Sequence, residues 1–180
     1  MKHYIVSLEE ARQFLDSHFS LKTTQVELLN GGDWSAAYAY VLEGEEYVIR
    51  FAASHEDFAK DQAISKYASE KLHVPKVTEI GKALRGFYAI SERHHGIFLD
   101  ELDGEQMRKT LPSLLMTLDE IREVDLTSTT AYGWWEAKGT GNCVTWREFL
   151  TNGFDDKPGE RTHGWRKKLE SSSVGSGTFD

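Results

Sequence analysis

Between two apolar runs the chain turns at Asn30-Gly31-Gly32-Asp33-Trp34-Ser35. Glycines in such a turn let backbone N–H groups approach an anion such as phosphate closely, and the Ser35 hydroxyl would add a donor. The same pattern also serves as a plain hairpin connection. Fifteen residues after Ser35 a cation, Arg50, stands late in the apolar run Tyr47-Val48-Ile49-Arg50-Phe51. An acid, Asp61, follows in the first half of the next amphipathic segment, beside its apolar stripe. Two accounts fit these residues. Either Asp61 orients Arg50 toward an anionic ligand, or Arg50 snorkels from a strand end to solvent and Asp61 is a solvated helix charge.

The elements that would position these residues follow from local pattern. Ser7-Leu8-Glu9-Glu10 reads as a capping box, and Leu8, Ala11, Phe14 and Leu15 keep a helical period, which predicts a helix from residue 8 to about residue 17. Gln25 to Leu29, Ala36 to Leu42 and Tyr47 to Phe51 read as three strands in series, an antiparallel meander. His55 to Leu72 reads as a helix stopped by Val74-Pro75, with Phe58, Ala59, Ala63, Ile64, Tyr67 and Ala68 as its buried stripe. Two more strands, Val77 to Ile80 and Gly86 to Ile90, flank a turn from Gly81 to Gly86. Antiparallel strands interrupted by one helix indicate an α+β lobe. Past a polar connector from Ser91 to Asp103, a long amphipathic helix is expected over Glu105 to Val124, and a short one from Trp146 to about Leu150.

Composition narrows the function classes. The 180 residues are 39% hydrophobic and 12% aromatic, enough for a core. Twenty-one Lys and Arg against 29 Asp and Glu give a net charge of −8, which argues against wrapping nucleic acid through its phosphates. The one cysteine, Cys143, excludes an internal disulfide framework and a cysteine-based zinc site. Seven histidines show no zinc spacing. No apolar run approaches the ~20 residues of a membrane helix, so a cytoplasmic globular protein is expected. Trp134, Trp135 and Trp146 read either as packing residues or as the lining of a sugar or substrate cleft.

Taken in order, the Gly-rich turn, Tyr47-Val48-Ile49-Arg50, Phe58-Ala59-Lys60-Asp61, His73-Val74-Pro75-Lys76-Val77 and Ile80-Gly81 resemble the N-lobe of the aminoglycoside phosphotransferases, and most of all the hygromycin B phosphotransferase branch. Tyr88-Ala89-Ile90-Ser91-Glu92-Arg93 with Gly96, Leu118-Asp119-Glu120-Ile121 and Thr145-Trp146-Arg147-Glu148-Phe149-Leu150 continue the likeness, from about residue 25 to residue 150. The resemblance implies an α+β, protein-kinase-like fold: an antiparallel-sheet N-lobe (1–92), a hinge or connector (93–103) and the first helices of an incomplete helical C-lobe (104–180). It implies ATP and Mg²⁺ as cofactors, and an aminoglycoside or another small hydroxyl compound as phosphate acceptor. Gly31, Gly32 and Ser35 would cover the phosphates. Arg50 would replace the more usual lysine, paired with Asp61, and the backbone of Ser91, Glu92 and Arg93 would hold adenine.

The family also carries a catalytic His-x-Asp with Asn five residues after the Asp, and later a metal-binding Asp. This sequence departs from that pattern. His94-His95-Gly96-Ile97 falls in the connector and Asp103-Gly104 precedes a helix, so neither matches. No catalytic or metal-ligating residue is assigned, and the chain reads as truncated before the catalytic loop, without activity of its own. The alternatives are a non-catalytic nucleotide-binding module and an α+β interaction domain. The apolar stripe of the long helix, Met107, Leu111, Leu114, Leu118 and Ile121, is expected to be partly uncovered, which makes self-association a candidate property.

Overall fold

A computed structural model of the chain describes residues 6–20, 23–29, 35–152 and 163–171. They form two compact units, one of residues 1–126 with 137–139 and the other of 127–136 with 140–180.

The first unit begins with α1 (Leu8–Phe19), and the expected capping box is present: the Ser7 hydroxyl accepts from the Glu10 N–H, and the Glu10 carboxylate accepts from the Ser7 N–H at 2.8 Å. Three strands follow, β1 (Thr24–Leu28), β2 (Ala36–Leu42) and β3 (Glu45–Ala52). The helix α2 (His55–Ile64) leads to β4 (Val77–Ala83) and β5 (Gly86–Glu92). All strand pairs are antiparallel, in the order β1-β2-β3-β5-β4, so β3 lies at the centre. The expected α+β class and antiparallel sheet are both present.

Side chains alternate across a strand, and in this sheet the two faces differ sharply in size. Tyr38, Ile49 and Ile90 oppose one another across β2, β3 and β5, as do Ala36, Phe51 and Tyr88. These large side chains, with Leu15 and Ala11 of α1, form the main core. The Tyr38 hydroxyl donates to the Val6 carbonyl and ties the segment before α1 to the sheet. The opposite face carries the rows Ala39–Val48–Ser91 and Ala37–Arg50–Ala89. Phe58 of α2 closes a smaller cluster there with Ala52, Val77 and Ala89.

Two expectations from the sequence are corrected. The helix predicted to reach Leu72 ends at Ile64, followed by a 3-10 turn over Ser65–Tyr67. Serine hydroxyls compete for backbone partners at this end: Ser65 donates to the Gln62 carbonyl, and Ser69 accepts from the N–H groups of Lys71 and Leu72. Of the predicted stripe only Phe58 is buried, and Ile64 is 44% exposed. The second correction concerns the β4–β5 hairpin. Both strands run longer than predicted, and the turn is only Leu84-Arg85, with Leu84 in the left-handed region (φ 50). Gly81 therefore lies inside β4, where a Cβ would stand 2.6 Å from Cε1 of Tyr88, so only glycine fits without moving that ring.

The long helix α3 (Gly104–Arg122) starts at Asp103, whose carboxylate caps Glu105 and Gln106. It carries no buried side chain; Leu111, Leu115, Leu118 and Ile121 are 44–52% exposed. In the second unit Tyr132 and Cys143 exchange backbone hydrogen bonds of 2.8 and 2.9 Å. There α4 (Trp146–Asn152) packs Trp146 on Phe149, which also meets Trp134 edge-on. A short helix the sequence reading did not anticipate, α5 (Trp165–Glu170), follows. No helix among the described residues is long and apolar enough to cross a membrane.

The α1 cap yields a pH prediction. Hydrogen bonds from Ser7, then from Arg85, hold the Glu10 carboxyl down at about 2 against an ordinary 4.5. A carboxyl depressed in the folded state stabilises above its unfolded pKa and loses that contribution as pH falls toward the folded one. The stability difference between the wild type and Glu10→Gln is therefore constant at neutral pH, and shrinks between about pH 4.5 and about pH 2. Urea titrations across that range measure it, and a pH-independent difference would refute the assignment.

Candidate functional site

The small-residue face of the sheet is where the charged pair sits. Arg50 is flanked by Ala37 on β2 and Ala89 on β5, so neither cross-strand neighbour covers its side chain. Nη2 of Arg50 donates to Oδ2 of Asp61 at 2.6 Å, a short charge-assisted hydrogen bond. The guanidinium also lies 5.3 Å from the centre of the Phe58 ring. Phe58 and Asp61 are three residues apart and share one face of α2. Burying Phe58 thus turns Asp61 toward β3. The structure thus shows the two side chains as a pair rather than as separate solvated charges.

Cavities lie on both sides of the pair. One, of about 390 Å³, is lined by Val48, Arg50, Asp61, Ile64, Val74, Pro75, Val77, Ser91, Glu92 and His94. The other, of about 540 Å³, is lined by Ser35, Arg50, Ala52, Asp57, Phe58 and Asp61. One cation thus borders two spaces, each with two acids in its lining: Asp61 and Glu92 in the first, Asp57 and Asp61 in the second. The fork of Arg50 has donors beyond the one spent on Asp61, and they can serve an anion entering either space.

The predicted site residues are distributed as follows. Ser35, Arg50, Asp61, Ser91 and Glu92 gather around the two cavities. Gly31 and Gly32 lie outside the described residues. Ser91 is 7% exposed, and the Glu92 N–H donates to the Lys76 carbonyl at 3.3 Å. Arg93 sends its side chain to Glu27 and Glu46. Sequence reasoning missed Ile64, Val74, Pro75, His94 and Asp57 as lining residues. The alternation of alanine with tyrosine in Ala36-Ala37-Tyr38-Ala39-Tyr40 was the available signal, since a row of small side chains opposite a row of large ones marks the face left open.

No protein-family profile matches the sequence. Hygromycin-B 4-O-kinase of Escherichia coli is 28% identical over 152 residues, covering 83% of this chain and 44% of that protein. The crystal structure of aminoglycoside phosphotransferase APH(4)-Ia superposes with a TM-score of 0.78 at 28% identity, over 83% of this chain and 51% of that one. The chain has the aminoglycoside phosphotransferase fold. A thermostable mutant of APH(4)-Ia, in a ternary complex with AMP-PNP and hygromycin B, matches this phosphotransferase fold with a TM-score of 0.76 over 81% of this chain and 50% of its own. The chain spans about half the length of the relatives it matches.

Stability measurements separate the roles of the two residues α2 contributes. Phe58 is 2% exposed, and Phe58→Ala is expected to cost about 3–5 kcal/mol. The Arg50 and Asp61 side chains are 30% and 45% exposed, so solvent screens the pair and Asp61→Asn is expected to cost less than about 1 kcal/mol. Denaturant titrations decide this. A loss in Asp61→Asn as large as that in Phe58→Ala would make the pair a structural strut.

Proposed function

We propose that this chain is the nucleotide-holding part of an ATP-dependent O-phosphotransferase whose acceptor is a hygromycin-type aminoglycoside. The observation that carries the reading is the Arg50–Asp61 pair at 2.6 Å, set between two cavities on the small-residue face of the sheet. The solved relative that holds AMP-PNP and hygromycin B supports it. In this reading residues 1–92 form the nucleotide lobe, 93–103 the connector and 104–180 the opening of a helical lobe.

The residues fit a nucleotide. Bound ATP would supply the phosphoryl group to be transferred. Arg50 would offer its free N–H donors to phosphate oxygens while Asp61 fixes the plane of the fork, and Ser35 would add a hydroxyl from the second cavity. Val48, Ile64 and Val77 would give apolar walls to the base, with the backbone around Ser91 to Arg93 at its edge. Gly31 and Gly32 lie outside the described residues, and their role over the phosphates rests on the resemblance alone. Mg²⁺ is a different case. Among the described residues no group of three His, Cys, Asp or Glu could hold a metal ion, so no step is assigned to metal here.

The 180 residues contain no His-x-Asp with Asn five residues after the Asp, so no residue is proposed as the base. Taken by themselves they therefore bind nucleotide and do not transfer phosphate. At ligand about 100-fold above Kd, ATP with magnesium adds roughly 2.7 kcal/mol to stability. For a chain of this length that raises Tm by roughly 5–10 °C. Arg50→Ala should abolish the shift. An unchanged Tm at saturating ATP, or an equal rise in Arg50→Ala, counts against the site.

Self-association through the exposed apolar side of α3 belongs to the same proposal, because an uncovered stripe of this kind usually finds a partner. Sedimentation should show mass rising with concentration, and less so in Leu115→Glu. A monomer at every concentration would remove it.

A further inference from the structure

The sheet register places a second charged group on the cavity face. Glu27 of β1 opposes Ala39, and Ala39 opposes Val48, a wall of the smaller cavity. Glu46 stands two residues before Val48 and so shares its face. Arg93, the first residue past β5, reaches both acids: Nη2 donates to Oε1 of Glu27 at 2.7 Å and Nη1 to Oε1 of Glu46 at 3.1 Å. Nε2 of His95 lies 2.7 Å from the other oxygen of Glu46. The hydrogen bond to His95, then the charges of His95 and Arg93, lower the Glu46 carboxyl below its ordinary pKa. The Arg93 side chain is 19% exposed, against 56% for Glu27 and 43% for Glu46, so the cation is the most covered member.

One guanidinium thus joins three stretches of chain: β1, the start of β3 and the connector. Regular pairing ends at Glu92, opposite Tyr47, and no helix or strand follows until the 3-10 turn at Leu99–Glu101. The connector leaves the sheet beside Ser91, Glu92 and His94, which line the cavity. Its path there is not dictated by the ladder. A planar fork held by two carboxylates on separate strands restricts where it can run, whereas a lysine ammonium would act as a point charge.

We propose that Arg93 is a positioning residue that, through Glu27 and Glu46, fixes the connector so that its backbone meets a nucleobase in the smaller cavity. The proposal rests on the nucleotide reading above. It assigns base recognition to the Arg93 network and phosphate recognition to Arg50, so the two functions are separable.

The experiment compares ATP with inorganic tripolyphosphate by calorimetry on the 180-residue chain, and follows amide exchange of residues 93–98 without ligand. In Arg93→Ala the ATP Kd should rise about two- to fivefold, the scale of a screened ion-pair network. Tripolyphosphate affinity should stay unchanged, and amides 93–98 should exchange faster. Arg93→Lys should restore ATP binding only in part, and Glu46→Gln should move it in the same direction as Arg93→Ala. An equal loss for both ligands, or full rescue by lysine, would overturn the proposal. So would unchanged ATP affinity. If the wild type binds neither ligand, the nucleotide reading and the base-positioning role both fall; exchange then still tells whether the strut exists, since unchanged exchange in Arg93→Ala denies it.

Discussion

A strand has two faces, and β3 has a neighbour on either side. Its side chains must therefore serve two different spaces with alternate residues. Ile49 and Phe51 are fully buried in the core beneath α1, and between them Arg50 points to the other side, where Asp61 and the cavities lie. The position of the cation is thus set by packing that it takes no part in. Shifting β3 by one residue would exchange the arginine for an isoleucine or a phenylalanine and bury a charge in an aromatic core. The well-packed face holds the register, and the register aims the open face.

The helix α2 adds the second constraint. Phe58 anchors it to the sheet, and the acid three residues later inherits that orientation. Because α2 stops at Ile64, the chain comes back toward β4 in an irregular path that brings Val74 and Pro75 to the cavity wall. A helix running on to Leu72, as its apolar residues suggested, would not have released those residues at that point. The local preference of serine for backbone partners therefore shapes a wall of the site.

These cases show what was legible in the sequence and what was not. The capping box at Ser7, the meander of three strands and the neighbourhood of Arg50 and Asp61 were readable, because each depends on residues near one another in the chain or on a strict period. The resemblance to the phosphotransferases added the order of the parts. The end of α2 was not readable, since Phe58, Ala63 and Ile64 carry a helical period while Ser65 and Ser69 break it through side-chain hydrogen bonds. Gly81 was read as the start of a turn because glycine marks turns, whereas here it makes room for Tyr88 across the strand pair. Arg93 was taken for its backbone alone. Its partners lie 66 and 47 positions away, and only the sheet order brings them together.

The division into two units has a spectroscopic consequence. Of the five tryptophans, Trp134, Trp135, Trp146 and Trp165 belong to the second unit, and the first contains only Trp34, in the sequence of the glycine turn. Indole emission excited on the red edge therefore reports on the second unit almost entirely once Trp34 is replaced by phenylalanine. The difference spectrum isolates one chromophore beside the glycines. The five-stranded sheet, rich in tyrosine, stays silent at that wavelength, so the melting of the second unit can be followed by itself.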